Sequence, residues 1–180
     1  MTAPVSSTPA GAEGPHWPWV LALYARPGVG PACLRLQDHC GLDVNLLLVM
    51  LHAVVAECRY PPPGGLAAAD AAVAPLRAEV VQPLRAVRRH LKLSNYGPMN
   101  ETVRNRVKAC ELAAEQMEQA VLAGLMACWP RIEAAQPPGV ATLSALIRDL
   151  LRETAVMRTA ALAPEDEAAL QCIATAATGA

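Results

Sequence analysis

The stretch MNETVRNRVKACELAAEQMEQAVLAGLMAC, residues 99–128, decides the fold class. Its apolar side chains Val103, Val107, Cys110, Ala114, Met117, Val121 and Leu125 recur at spacings of three and four. That is the period of one helix face, so the spacing predicts a long amphipathic helix with this stripe turned to a core. Upstream, Leu66–Leu93 keeps the same rhythm at Val73, Leu76, Val80, Leu84, Val87 and Leu91, with Pro75 and Pro83 expected to break or kink it. Ser94–Pro98 is the turn between the two.

Further upstream, Tyr60–Gly65 breaks the chain with three prolines and two glycines. Before it, Val44–Arg59 reads as a buried helix opened by Asp43 as N-cap, and Gly41 closes the short helix Pro31–His39. Trp17–Ala25 is a first short helix, ended by the Pro27-Gly28 turn. Downstream, Pro130–Gly139 reads as a linker, Val140–Thr159 as a weaker helix, and Pro164 with Glu165, Asp166 and Glu167 opens a last one. No segment alternates as a strand does, and no repeat is present. The expectation is an all-α, single-domain bundle of about five to seven helices. Residues 1–15 form a disordered tail, 16–129 the helical core, 130–139 the linker, and 140–177 C-terminal helices packed on the core. Helix 43–59 is expected at the centre, packed by the stripes of 76–91 and 103–125.

Composition agrees. Of 180 residues, 36 are Ala and none is Phe, so the core is built from Leu, Val, Ala and Met, which favour helices over strands. The net charge of −1 lacks the basic field of a nucleic-acid binder, and so few aromatics leave little to stack on bases. Arg outnumbers Lys thirteen to two, which with the Ala excess reads as genome composition. The longest apolar block, Leu46–Leu51, stops at His52, too short for a membrane span. The six cysteines form no C-x-x-C pair and no signal peptide is legible. The expected location is the cytoplasm, with reduced and mostly buried thiols.

Trp17…Leu23-Tyr24-Ala25-Arg26-Pro27-Gly28-Val29, then Ala32–Asp38, then Gly41–Leu48 resemble the DUF2390 family of proteobacterial proteins. Pro83-Leu84-Arg85, Arg88-Arg89, Leu91-Lys92 and Glu111–Glu115 are similar to its later pattern. His52 stands where the resemblance implies an aromatic residue. The resemblance implies a helical cytoplasmic protein and no particular chemistry.

Two constellations could carry function. The first gathers polar side chains where the second helix meets the third: Asp38, Asp43 and Asn45, with His52 seven residues beyond Asn45 on the same stripe, and Arg59 a further seven on. One reading is a polar pocket for a small molecule, in an enzyme or a ligand carrier. The other is plain capping by Asp43 and Gly41, with a thin solvent-facing stripe. The second constellation is the flank Arg85, Arg88, Arg89 and Lys92, followed by Arg104, Arg106 and Lys108 on the next helix. One reading is a non-catalytic binding or adaptor surface for an acidic protein or phosphate-bearing ligand, not needed for folding. The other pairs these cations with Glu101, Glu111, Glu115 and Glu118, or leaves them facing solvent. Cys33, His39, Cys40 and His52 match no zinc spacing, so no metal or cofactor is expected.

Overall fold

Asp43 opens the central helix as a true N-cap: its backbone is extended, and its carboxylate accepts the Leu46 amide at 2.7 Å. The helix that follows, α3 (Val44–Val55), is buried at every residue from Asn45 to Val54. A helix apolar on all sides needs cover on all sides. The computed structural model, which describes Gly14 and residues 16–132, 137–154 and 162–179, supplies that cover. Packed against α3 are α1 (His16–Tyr24), α2 (Val29–Cys40), α6 (Asn100–Met126) and α7 (Val140–Thr154). Outside these lie α4 (Gly65–Leu76), which packs on α6 and α7, and α8 (Pro164–Ala177), which runs along α2 and α7. The described residues form a single all-α bundle of seven helical rods, with no strand beyond one antiparallel bridge between Arg59 and Arg131. The expected tail falls outside the described residues except for Gly14 and all of the linker's middle, 133–136, does too.

The two prolines do not cut α4 from α5 (Gln82–Leu93). The chain passes between them through a π-helical turn, Arg77–Val81, in which the Gln82 amide bonds the Arg77 carbonyl five residues back. Pro83 has no N–H and its ring crowds the carbonyl four residues before it. Widening one turn accommodates both facts without ending the rod. Gly41 ends α2 at φ +69°, with its amide on Gln37 and the Leu42 amide on Leu36, a Schellman closure.

Two expectations require correction. Helix α3 stops at Val55, not Arg59, because Cys58 takes φ +55° and the prolines follow. Arg59 therefore leaves the stripe that Asn45 and His52 share, and those two are buried rather than solvent-facing. More consequentially, the stripes of α5 and α6 do not face the core. Val87, Val103, Met117, Val121 and Leu125 are each at least 40% exposed. The buried side chains of α6 are Glu111, Ala114, Glu118, Gln119, Leu122 and Met126. The α5–α6 hairpin is turned so that its carboxylates point inward, where arginines of α5 and of the π turn meet them.

This orientation separates neighbours in sequence. Leu122→Ala, in the core at 0% exposure, is expected to cost about 2–5 kcal/mol. Val121→Ala, 45% exposed, should change stability by less than about 0.5 kcal/mol. Urea midpoints of the two variants check this, and the opposite ranking would restore the inward stripe.

Candidate functional site

The residues expected to form a polar pocket are dispersed. Asp43 and Asn45 belong to one buried network at the start of α3. Besides capping α3, Asp43 pairs with Arg77 Nε. Arg77 also holds Asp70 at 2.7 Å and Glu118 at 3.2 Å. Glu118, fully buried, accepts from the Asn45 amide at 2.8 Å, and Gln119 donates to Asn45 Oδ1 at 2.8 Å. One guanidinium thus faces three carboxylates. Burial, then the nearby Asp43 charge, pushes the Glu118 carboxyl up to about 7 against the opposing pull of Asn45 and Arg77. Asp38 lies apart, exposed in the last turn of α2, with Arg89 3.9 Å away. His52 lies two turns along α3 from Asn45, roughly 10 Å of helix rise.

The basic flank divides in two. Arg85 holds Glu111 at 3.2 Å, Glu115 at 2.7 Å and the side-chain Oε1 of Gln37 at 3.0 Å. Arg88 closes on both oxygens of Glu111. Burial raises the Glu111 carboxyl, but the hydrogen bonds and charges of Arg88 and Arg85 outweigh it and hold it below the usual carboxylate range. Arg89 is 55% exposed at its side chain, and Lys92 is exposed with no ion pair among the described residues. Arg85 and Arg88 are therefore structural partners of buried acids, while Arg89 and Lys92 face outward. The spacing of Glu111, Glu115 and Glu118 on one α6 face was the available signal for this pairing.

At the other end of α3, a cavity of about 120 Å³ is lined by His16, Val49, His52, Ala53, Glu57 and Met126, with Ala123 of α6 and Ala127 just past its end. His16 and Glu57 were not singled out by the sequence. His16 is 3% exposed, and its Nδ1 is buried without a hydrogen-bond partner among the described residues. The His52 ring meets Trp19 edge-on at 5.5 Å and His16 at 6.2 Å. Burial lowers both imidazoles below their ordinary range; His52 adds to the effect on His16, and Glu57 opposes it at both.

Removing Arg85 leaves Glu111 and Glu115 short of their partner, so Arg85→Gln should cost about 2 kcal/mol or more in urea. Arg89→Gln should stay within about 0.5 kcal/mol. The Glu118 carboxyl is raised in the fold, so its contribution is full below the ordinary carboxylate range and is lost as pH rises through about 7. Melting temperatures taken from about pH 6 to about pH 8 should fall for the wild type and fall less for Glu118→Gln. Parallel profiles would show that Glu118 is ionised throughout.

No curated protein and no solved structure matches this chain. Residues 15–122 match the family described as a protein of unknown function, DUF2390. That span covers α1 through most of α6, including Arg77, Glu118 and the cavity-lining His16, His52 and Glu57, and it is more than half of the chain; the protein belongs to the DUF2390 family.

Proposed function

We propose that this is a non-catalytic binding protein of a proteobacterial cytoplasm that docks an acidic, amphipathic helix of a partner protein on the outer face of the α5–α6 hairpin. The six cysteines without a C-x-x-C pair support the reducing compartment. The observation that carries the docking surface is the outward turn of the two apolar stripes. Val87 of α5 and Val103, Met117, Val121 and Leu125 of α6 remain exposed on one hairpin. Exposed apolar side chains gathered on one element pair are a mark of interaction sites on soluble proteins.

Charge supplies the identity of the occupant. Between Arg77 and Met126 the sequence holds eight cations and five carboxylates. Three of those carboxylates, Glu111, Glu115 and Glu118, are turned inward onto arginines. The hairpin also keeps Arg89, Lys92, Arg106 and Lys108 exposed, with Arg106 on the edge of the α6 stripe, about 20° round the helix from Met117, and Arg89 on the far side of α5 from Val87. A partner helix with leucines on one face and glutamates along its edges matches both features.

The test is fluorescence anisotropy with a synthetic helix of Leu and Glu. Binding is expected, weakening as salt is added, and weakening about tenfold or more in Met117→Glu/Val121→Glu and measurably in Arg106→Glu. Melting temperatures of both variants should stay within a few degrees of wild type, since exposed charges contribute about 0–1 kcal/mol each. Equal binding of a Leu and Lys helix, competition by inorganic phosphate, or self-association through this face would each replace the reading.

A further inference from the structure

Leu93, Tyr96 and Met99 stand where α5 turns into α6, and their exposures are 88%, 66% and 58%. With Met117, they are the most open large apolar side chains among the described residues. The turn that carries them is held in one shape. The Asn100 side-chain amide donates to the Leu91 and Ser94 carbonyls at 2.9 and 3.2 Å. The Tyr96 hydroxyl meets His90 Nε2 at 2.7 Å.

This turn is also the end of an arm. No residue of α5 is buried, and α6 buries none before Glu111. Arg89 lies 3.9 Å from Asp38 of α2. From His90 to Lys108, the hydrogen bonds and ion pairs among the described residues all stay within the arm.

The arm is strongly cationic. No carboxylate occurs from Gln82 to Asn100. Arg89, Lys92, Arg104, Arg106 and Lys108 face one acid of the arm, Glu101, which Arg104 meets at 3.3 Å. Helix rise carries Lys108 only about 12 Å beyond Asn100, and Arg89 about 6 Å back from Leu93. These reaches are comparable to the roughly 8–10 Å over which charge acts in physiological salt. A surface met by the turn therefore meets the cations too.

Size and shape favour a bilayer over a folded protein at this point. A stable protein interface takes about 800 Å² and roughly twenty residues from each side, more than the tip of a helical hairpin offers. A bilayer asks for no matching contour. Apolar side chains enter between the headgroups, tyrosine settles at headgroup level, and a lysine lays its stem along the apolar layer with its ammonium among phosphates. No helix of the described residues is long and apolar enough to cross a membrane, so the contact is one of surface.

We infer that the α5–α6 turn docks on an anionic lipid bilayer, with Leu93, Tyr96 and Met99 in the interface and Lys92, Arg89 and the α6 cations on the acidic headgroups. The inference does not rest on the partner-helix reading, since Met117 lies roughly 27 Å along α6 from Met99.

The test is co-flotation of the full chain with vesicles of phosphatidylglycerol and phosphatidylcholine in equal parts, and with vesicles of phosphatidylcholine alone. The anionic vesicles should bind about tenfold or more tightly than the neutral ones, and less so as salt is added. Lys92→Gln should weaken binding about fivefold. Leu93→Ser/Tyr96→Ser should weaken it about tenfold or more. Both variants should keep the wild-type melting temperature within a few degrees, because the side chains are exposed. In Tyr96→Trp, indole emission should move to shorter wavelength on anionic vesicles, beyond any change in the wild type. Met117→Glu/Val121→Glu should bind vesicles as the wild type does while losing the Leu and Glu helix. Equal binding to both vesicle types, binding to neither, or full binding by Leu93→Ser/Tyr96→Ser would overturn the inference. So would loss of the Leu and Glu helix in that variant, which would give the turn to the protein partner.

Discussion

Arg77 receives carboxylates from three helices: Asp43 at the head of α3, Asp70 of α4 and Glu118 of α6. Its own position comes from the π turn, which Pro83 imposes on a rod that would otherwise continue as α-helix. Charges taken out of water are tolerable when they are paired and hydrogen-bonded, and costly when a partner is missing. The cluster therefore behaves as a registration device. It holds α3, α4 and α6 at one mutual rotation, because any other rotation strands a buried charge. Asn45 and Gln119 extend the same network by neutral hydrogen bonds, so the first turn of α3 is fixed to α6 by polar contacts and the rest of α3 by leucines.

The rotation fixed at Arg77 propagates along α6. Once Glu118 points inward, Glu115 and Glu111, which lie one and two turns earlier, must point inward too. Arg85 and Arg88 are there to meet them. The apolar stripe, offset by roughly a quarter turn on the helix, is then carried to the surface. The exposed hairpin face and the buried ion pairs are two sides of one geometric constraint.

Helix existence was legible in the sequence because three- and four-residue spacing is local. So were the Asp43 cap, the Gly41 closure and the turn at Ser94–Pro98, each written in a few adjacent residues. Facing was not legible. Apolar spacing identifies a stripe but not whether a better-matched polar face exists elsewhere, and Arg77 and Glu118 are 41 residues apart. The polar network was half visible: Asp43 and Asn45 stood out and Glu118 was set among the possible partners of the Arg85–Lys92 flank, while nothing singled out Arg77 or Asp70. At the cavity, His52 drew attention as a polar interruption in an apolar run. His16 and Glu57 did not, since His16 is on another helix and Glu57 lies beyond the end of α3, where the sequence pattern implied that the helix continues.

Helix α2 packs along α8, and Arg35 bonds Asp166 across 131 residues of chain. The family match ends before α8 begins, yet α8 places Leu170, Ile173 and Ala174 in the same core as Cys33 and Leu36 of α2. A ribosome adding about 5–20 residues per second needs on the order of ten seconds to pass from one helix to the other. Through that interval α2 has emerged with its apolar face uncovered. The α2 side of the core is completed only when α8 emerges.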